Sequence, residues 1–197
     1  MFTGLVEEVG KIKKIVEVLM GKRFFIQAHA VLHNVKIGDS IAINGTCLTV
    51  TEFTENGFWV DVVAETLRCT NLGLLTEGGA VNLEASLTLQ KPLGGHLVQG
   101  HVDATGKIIE ISNEGDAKLL KIRFPKKLRP YLVAKGYIAL DGMSLTLINV
   151  LEDSFTLTLI PHTQSVTIAG AYQVGQTVNL ETDIMAKYAE NMLLHKA

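Results

Sequence analysis

The sequence is poor in the residues that build disulfide frameworks, metal sites and disordered linkers. It has two cysteines, Cys47 and Cys69, without a CxxC pair or a histidine at metal-ligand spacing, so neither a disulfide scaffold nor a metal site is predicted. Proline occurs only 4 times, whereas hydrophobic residues make up 47% of the chain. This balance predicts a packed core in a reducing compartment.

Long apolar runs and an excess of one charge are also absent. No apolar run approaches the roughly 18 residues that span a bilayer, and the first residues form neither a basic nor an apolar signal region. The formal net charge is -2 and like charges do not cluster, which argues against nucleic acid and membranes as partners. We expect a cytoplasmic protein that binds small molecules or other proteins.

The chain contains one sequence repeated twice. At an offset of 97 residues IAINGTCLTV matches IALDGMSLTL, and at an offset of 96 residues TGLVEEVGKI matches QGHVDATGKI. The aligned ranges are 41–50 with 138–147, 64–73 with 161–170, 81–84 with 178–181, and 3–12 with 99–108. The duplication predicts an N-terminal domain 1–96, a homologous domain 97–183, and a C-terminal segment 184–197 outside both copies.

Short apolar runs separated by turns predict strands in each copy. Residues 58–63 are largely apolar on both faces, and glycine-containing turns at 55–57 and 77–79 bound such runs. This pattern indicates a small closed antiparallel barrel in each half. One short helix per half is expected, from Pro125 to Gly136 in the second copy and over 29–34 in the first.

The C-terminal segment has the pattern of an amphipathic helix. Thr182 or Asp183 is expected to cap it, and Ile184, Tyr188 and Met192 follow one stripe. The stripe needs a surface on which to be buried. A neighbouring subunit and the chain's own barrel are both open at this point.

Seven motifs, in order and partly duplicated, resemble the riboflavin synthase family, whose members are built from lumazine-binding domains. They are MFTGLV, NGTCLTV, ETLRCTNLG, GGHLVQGHVD, KGYIALDGMSLT, IPHT and VNLETD, and they span essentially the whole chain. The resemblance implies an all-β fold of two tandem six-stranded antiparallel β-barrels with short helices and a C-terminal α-helix that holds a homotrimer. Tyr137, Met143 and the VTIAG segment at 166–170 depart from the family's usual pattern.

The resemblance also implies a transferase reaction without a cofactor. Two molecules of 6,7-dimethyl-8-ribityllumazine give riboflavin and 5-amino-6-ribitylamino-2,4(1H,3H)-pyrimidinedione, in sites between the first barrel of one subunit and the second barrel of the next. Lumazine synthase is a further partner that the resemblance suggests. The alternative is a non-catalytic lumazine- or flavin-binding protein of the same fold, because fold alone does not separate the two.

Pairs shared by both copies, such as Gly4 with Gly100, are expected to bind the lumazine rings and ribityl chains, although glycine and threonine are also ordinary strand residues. The substrate-binding residues that the resemblance implies are Phe2, Gly4, Leu5, Val6, Cys47, Leu48, Thr49, Asp61, Val63, Glu65, Thr66, Gly100, His101, Val102, Lys135, Ser144, Leu145, Thr146, Ile160, Pro161, His162, Thr163 and Ser165.

Pairs that differ between the copies are expected to carry the chemistry. They are Cys47 with Ser144, Asn44 with Asp141, Leu5 with His101, and Gly38 with Lys135. We expect Ser144, Asp141 and Lys135 to share one pocket edge, with His101 as an acid or base, a type of assistance worth about 100- to 10,000-fold. The other interpretations are a turn-fixing aspartate, a strand serine and a solvated lysine.

Three more residues have two interpretations each. Cys47 is predicted to contact the ring or act as a nucleophile, although an unpaired cysteine also serves as a small buried hydrophobe. Phe2 is predicted to cover a bound ring, or else to pack in the core. His96 is expected to shape a turn.

Overall fold

The computed structural model describes residues 1–194, and the first half of this range folds into a closed six-stranded barrel. Its strand order is β1-β2-β5-β4-β3-β6, with every neighbouring pair antiparallel. The interior is filled by alternate side chains such as Phe24, Phe58 and Val60, all fully buried. The strands are β1 (Glu8–Val18), β2 (Gly21–Gln27), β3 (Ser40–Ile43), β4 (Thr46–Thr54), β5 (Gly57–Val63) and β6 (Ala80–Ala85).

The second half forms a seven-stranded curled sheet of order β10-β9-β13-β7-β8-β12-β11. Its edge strands β10 and β11 are separated by only Leu147 and Ile148, so together they take the place that β4 occupies in the first barrel. The Ile148 amide still donates to the carbonyl of Thr156 at 2.8 Å. The strands are β7 (Ala104–Glu114), β8 (Ala117–Arg123), β9 (Tyr137–Leu140), β10 (Met143–Thr146), β11 (Asn149–Val150), β12 (Ser154–Leu159) and β13 (Thr177–Thr182).

The helices are few and short, as the sequence predicts. Both expected short helices are present as 3-10 turns, and Asp183 caps the C-terminal helix by accepting from the Met185 amide at 3.0 Å. Residues 195–197 of the predicted C-terminal segment lie outside the described residues. The α-helices are α1 (Ala64–Cys69), α2 (Pro161–Val166) and α3 (Ile184–Leu194), and the 3-10 helices are Ala30–Leu32, Asn71–Leu74, Lys126–Tyr131 and Ile168–Ala171. No helix within residues 1–194 is both long and apolar enough to cross a bilayer.

The two halves meet around a local twofold axis on which duplicated residues face each other. Gly45 and its counterpart Gly142 touch: a Cβ on Gly45 would lie 2.6 Å from the Gly142 nitrogen, and glycine is required at both positions. Phe2 pairs with Val98 in an antiparallel bridge. Phe2 is 0% exposed in this contact, which agrees with the second of its two interpretations, packing in the core.

A buried polar cluster crosses the same axis. The side-chain amide of Asn82 donates to the backbone carbonyl of Asp141 at 2.9 Å, and Asn179, which occupies the same place in the second half, donates to the carbonyl of Asn44 at 2.8 Å. Such exchanged hydrogen bonds satisfy buried backbone groups and fix the orientation of one half against the other.

Candidate functional site

Two arms of the chain cross from one half to the other and form part of the opposite half's surface. The first arm is 3–6 and the second is 99–102. The buried carboxylate of Glu84 holds the first arm, accepting from the amides of Thr3 at 2.7 Å and Gly4 at 3.0 Å. Glu181 holds the second in the same way through the amides of residues 99 and 100. Each arm is therefore anchored in its own half, and the chain returns to that half at Glu7 and Asp103, whose amides donate to the carbonyls of Leu83 and Leu180.

Beyond these anchors, each arm hydrogen-bonds a strand of the opposite half. The Ser144 amide donates to the carbonyl of Gly4 at 2.8 Å, and the Cys47 amide donates to the carbonyl of Gly100 at 2.9 Å. Both glycines have positive φ, +75° and +78°, and a Cβ on either would lie within 2.6 Å of the opposing side chain. Glycine allows both the backbone conformation and the close approach.

A pocket lies beside each crossing. The first pocket, about 340 Å³, is formed by β4, α1 and the second arm, and its lining residues are Thr46, Cys47, Glu65, Thr66, Cys69, Thr70, Gly100, His101 and Val102. The second pocket, about 320 Å³, is formed by β10, α2 and the first arm, and its lining residues are Gly4, Leu5, Val6, Met143, Ser144, Leu145, His162, Thr163, Val166 and Thr167. Both volumes fall near the lower end of the range for small-molecule sites.

The pockets correspond residue by residue, because every lining position of the first has its duplicate in the second. Thr66 and Thr163 occupy equivalent positions and offer the same hydroxyl. Five pairs change chemistry: Thr46 to Met143, Cys47 to Ser144, Glu65 to His162, Cys69 to Val166, and His101 to Leu5. The first pocket therefore carries a carboxylate and two thiols where the second carries an imidazole, a hydroxyl and an alkyl group.

Ser144 is hydrogen-bonded by a histidine. The Nδ1 atom of His96 lies 2.7 Å from the Ser144 hydroxyl oxygen, and the His96 ring stacks on Tyr137 with centroids 5.1 Å apart. Burial lowers the pKa of His96, and Asp183 opposes this shift weakly through its charge. The imidazole is therefore neutral near pH 7 and can accept the hydroxyl proton. The expectation that His96 only shapes a turn misses this contact.

Glu65, in the first pocket, is held by two neighbours on α1. The Cys69 thiol donates to Glu65 Oε1 at 3.1 Å, and Arg68 pairs with the other carboxylate oxygen. The thiol hydrogen bond, followed by Arg68, lowers the pKa of Glu65, so this carboxylate is ionised at neutral pH. Cys69, which lies on the pocket wall, contributes to the site through Glu65.

The structure does not assemble Ser144, Asp141, Lys135 and His101 at one pocket edge within a chain. Asp141 is 0% exposed and accepts from Tyr172 Oη at 2.6 Å and Asn71 Nδ2 at 2.9 Å. Its expected place beside Ser144 is therefore wrong. The peptide between them turns at Gly142 and sends Asp141 into the interface between the halves, where desolvation raises its pKa to about 7.

Lys135 and His101 also lie away from Ser144. Lys135 is exposed in the turn before β9, where its amide donates to the carbonyl of Leu147 at 2.8 Å. It lines neither pocket in the single chain. His101 belongs to the first pocket, with Cys47.

The remaining predicted substrate-binding residues lie around the pockets rather than in their walls. Leu48 is buried in the first barrel's core, and Asp61 is exposed and paired with Arg23 at 2.9 Å. Ser165 is exposed on α2 and donates to the carbonyl of His162 at 2.8 Å. The exposed residues that line neither pocket are Thr49, Val63, Thr146, Ile160 and Pro161.

Two further observations concern other possible sites. A larger cavity, about 430 Å³, lies on the outer wall of the second half between Glu110, Lys121 and Asn149, and it contains none of the predicted site residues. Among residues 1–194, no three His, Cys, Asp or Glu side chains are placed to hold a metal ion.

The family comparison matches both copies of the repeat. The lumazine binding domain model matches residues 3–86 and again residues 99–183. The two matched ranges include both arms and both pockets. The segment between them, which contains His96, belongs to neither copy.

Curated relatives match over the whole chain. Riboflavin synthase of Actinobacillus pleuropneumoniae is 45% identical over 196 residues, covering 100% of this chain and 91% of the relative. Riboflavin synthase of Bacillus subtilis is 44% identical with the same coverage. That of Schizosaccharomyces pombe is 44% identical, covering 98% of this chain and 94% of the relative.

Solved structures with the same fold include lumazine- and flavin-bound forms of LumP. LumP complexed with 6,7-dimethyl-8-(1'-D-ribityl) lumazine superposes with a TM-score of 0.83, and LumP complexed with riboflavin with a TM-score of 0.86. Each is 26% identical, and each match covers 92% of this chain and 99% of the LumP chain.

Proposed function

The chain belongs to the riboflavin synthase family and is an enzyme of riboflavin biosynthesis. On this premise we propose that each of its two pockets holds one molecule of 6,7-dimethyl-8-ribityllumazine. Four carbons leave one lumazine and join the other, giving riboflavin and 5-amino-6-ribitylamino-2,4(1H,3H)-pyrimidinedione. One lumazine is oxidised as the other is reduced, so the equation balances from the two substrates alone.

The observation that carries this proposal is the residue-by-residue equivalence of the pockets. Identical molecules need matching recognition groups, which the crossing glycine arms and the pair Thr66 and Thr163 supply. Their different roles need different reactive groups, which the replacement of Cys47 by Ser144 and of Glu65 by His162 supplies. Holding two reactants in order can contribute roughly 7 to 11 kcal/mol through effective molarity.

In the second pocket, Ser144 is proposed to handle the proton of the lumazine's 7-methyl group. Its hydroxyl lines the pocket and contacts neutral His96 at 2.7 Å. As Ser144 Oγ takes the methyl proton, its own proton passes to the imidazole, and the carbanion attacks C7 of the other lumazine. Positioned proton transfer of this kind is typically worth about 100- to 10,000-fold.

In the first pocket, the lining side chains are proposed mainly to bind the lumazine. Ionised Glu65 can accept hydrogen bonds from ribityl hydroxyls, and His101 and Cys47, which line the same pocket, are proposed to contact the ring. Lys135 and Asp141 have no direct contact with the ligand in this scheme. Asp141 instead fixes the interface between the halves.

We also propose that the productive pair of pockets comes from two subunits of a homotrimer. Apolar side chains on α3 are exposed in the single chain, including Met185 at 62%, Tyr188 at 60% and Met192 at 72%. The polar face of α3 is tied to its own half, because Lys187 pairs with Asp103 at 2.6 Å. A neighbouring copy is therefore the proposed cover for the apolar face. Cytoplasmic location and association with lumazine synthase stay predictions.

The deciding experiment is incubation of the purified chain with the lumazine alone, followed by riboflavin absorbance. We expect two lumazines to be consumed per riboflavin formed, with turnover lost in Ser144→Ala but retained in the control Ser112→Ala, an exposed serine outside both pockets. Lumazine binding without riboflavin would instead support the non-catalytic alternative. The 42–45% identity to named synthases, against 26% to LumP, favours the enzyme.

A further inference from the structure

His96 contacts a hydroxyl of the second pocket and is covered by an aromatic ring. It is only 6% exposed, its amide donates to the carbonyl of Thr3 at 3.2 Å, and Nδ1 meets Ser144 Oγ. Tyr137 stacks on the imidazole with an interplanar angle of 10°. Tyr137 is itself 45% exposed, so it lies between the imidazole and solvent-accessible surface.

The duplication supplies an internal comparison for this ring. Tyr137 opens β9, and the equivalent position of β3 is Ser40, a half-buried small residue. His96 lies between the two copies and has no duplicate, so Ser40 has no equivalent histidine to cover. A large aromatic side chain therefore occurs in the half where a histidine contacts the pocket hydroxyl.

We propose that Tyr137 is a positioning residue for the reaction, which excludes water from His96 and holds its imidazole edge against the Ser144 hydroxyl. The proposal rests on the role given above to Ser144. Tyr137 does not touch the reacting atoms in this scheme, and acts through His96. This assigns a function to one of the departures from the family's usual pattern.

The physical effect follows from the groups that face His96. They are Ser144 on β10, Tyr137 on β9 and the charge of Asp183, which precedes α3. Burial lowers the pKa of His96, and the charge of Asp183 raises it by less. The net shift of the His96 pKa is therefore downward, and it depends on the side chains that shield the imidazole from water. Removing the ring hydrates the imidazole and moves its pKa up toward the ordinary 6.5. Protonated His96 has no free acceptor for the Ser144 proton.

The test compares Tyr137→Ser, which restores the residue of the duplicate position, with Tyr137→Phe, which keeps the stacked ring. We expect the acid limb of the kcat profile of Tyr137→Ser to move up by roughly 0.5 to 1 pH unit, with kcat at pH 6 lower by about three- to tenfold and KM unchanged. Tyr137→Phe should match the parent chain. If Tyr137→Ser folds poorly, Tyr137→Thr takes its place in the test, because threonine is a better strand former than serine.

A second measurement does not depend on turnover. Proton NMR titration of the His96 ring, assigned by comparison with His96→Gln, should give a higher pKa in Tyr137→Ser than in the parent chain or Tyr137→Phe. An unchanged titration, or a change confined to KM, would overturn the proposal. A lower His96 pKa in Tyr137→Ser would also overturn the proposal, because it would mean that the Tyr137 ring stabilises the imidazolium of the parent chain as a cation–π partner. If the parent chain made no riboflavin, the proposed function would fail while the titration still tested Tyr137.

Discussion

Gly4 and Ser144 belong to different copies of the repeat, yet the Ser144 amide donates to the carbonyl of Gly4 at 2.8 Å. Gly100 and Cys47 form the same contact with the halves exchanged, at 2.9 Å. Each pocket is therefore built by both halves, and each arm determines the shape of a pocket across the interface from its own barrel. Substitution in an arm should affect the opposite half's pocket.

Gly4→Ala should damage the second pocket and leave the first intact. The new Cβ would lie 2.5 Å from Ser144 Cβ, and the backbone has φ +75°, which disfavours any L side chain by about 1 to 2 kcal/mol. Displacing the arm moves Ser144, so we expect turnover to fall at least about tenfold while one lumazine per chain still binds. Titration calorimetry with a lumazine analogue, beside turnover, measures both effects.

The mirror variant and a matched control sharpen this prediction. Gly100→Ala, with a Cβ 2.6 Å from Cys47 Cβ, should abolish binding at the first pocket instead. Gly38→Ala has φ +94° but nothing within 4 Å of the new Cβ, so it should lose stability and keep both pockets. Equal loss of both pockets in Gly4→Ala would contradict the crossed-arm assignment.

The buried carboxylate of Asp141 should make folding stability depend on pH. Desolvation raises its pKa from 3.8 to about 7 in the folded chain, against hydrogen bonds from Tyr172, Asn179 and Asn71 that lower it. The folded state therefore favours the protonated form. The stabilisation is fully present below about pH 4 and is lost as pH rises through about 7.

Asp141→Asn removes this dependence. Between pH 4 and 7, the parent's free energy of unfolding should fall relative to the variant's by up to about 1.4 kcal/mol per pH unit. Asn44 occupies the equivalent position in the first half, so an amide fits this turn. Urea unfolding at pH 5, 6, 7 and 8 measures the difference, and exposed Asp116→Asn is the control. Parallel curves for parent and Asp141→Asn would refute the prediction.

The sequence predicts the duplicated fold and the pairing of pocket residues, but not the crossing of the arms. Alignment of the copies identifies Gly4 with Gly100 whether each arm packs on its own half or on the other, since both arrangements leave the same pattern. The capped C-terminal helix is predicted correctly because Asp183 acts on the Met185 amide two residues away. An interaction between residues so close along the chain can be recognised in the sequence itself.

The sequence does not predict the burial of Asp141 or the contact of His96 with Ser144, for a related reason. A carboxylate in a glycine turn is ordinarily exposed, and its burial here depends on Tyr172 and Asn71, which are 31 and 70 residues distant along the chain. His96 meets Ser144 across 48 residues and has no duplicate to draw attention to it. Its position in a GGH segment between the matched copies is the only signal that the sequence offers.

The thiol of Cys69 should tune ligand affinity at the first pocket. It donates to Glu65 Oε1 at 3.1 Å, whereas the equivalent residue of the second pocket, Val166, has no donor. In Cys69→Val we expect affinity at the first pocket to fall about two- to fivefold, the loss of one partly exposed hydrogen bond to a carboxylate. Cys69→Ser keeps a donor and should retain the affinity. Calorimetry resolves the two sites, and an unchanged first site in Cys69→Val would argue against Glu65 as a ribityl acceptor.

The last prediction concerns the apolar face of α3. Tyr188→Glu combined with Met192→Glu places two charges on exposed positions while preserving the contacts of the helix with its own half, namely Lys187 with Asp103 and Tyr131 with Glu190 at 2.5 Å. Burying a charge in an apolar interface is costly, so the assembly should dissociate into single folded chains.

Because the proposed productive pair of pockets lies between subunits, turnover of the double variant should fall by at least about tenfold, while each chain still binds lumazine. Removal of 184–197 should have the same effect, since every strand ends at or before Thr182. Light scattering gives the mass, and circular dichroism, calorimetry and riboflavin formation are measured on the same sample. Leu19→Glu with Met20→Glu, at the exposed β1–β2 turn, is the matched control and should leave mass and activity unchanged. A fully active single chain would reject the intersubunit pair, and loss of the fold on truncation would mean that α3 mainly stabilises its own barrel.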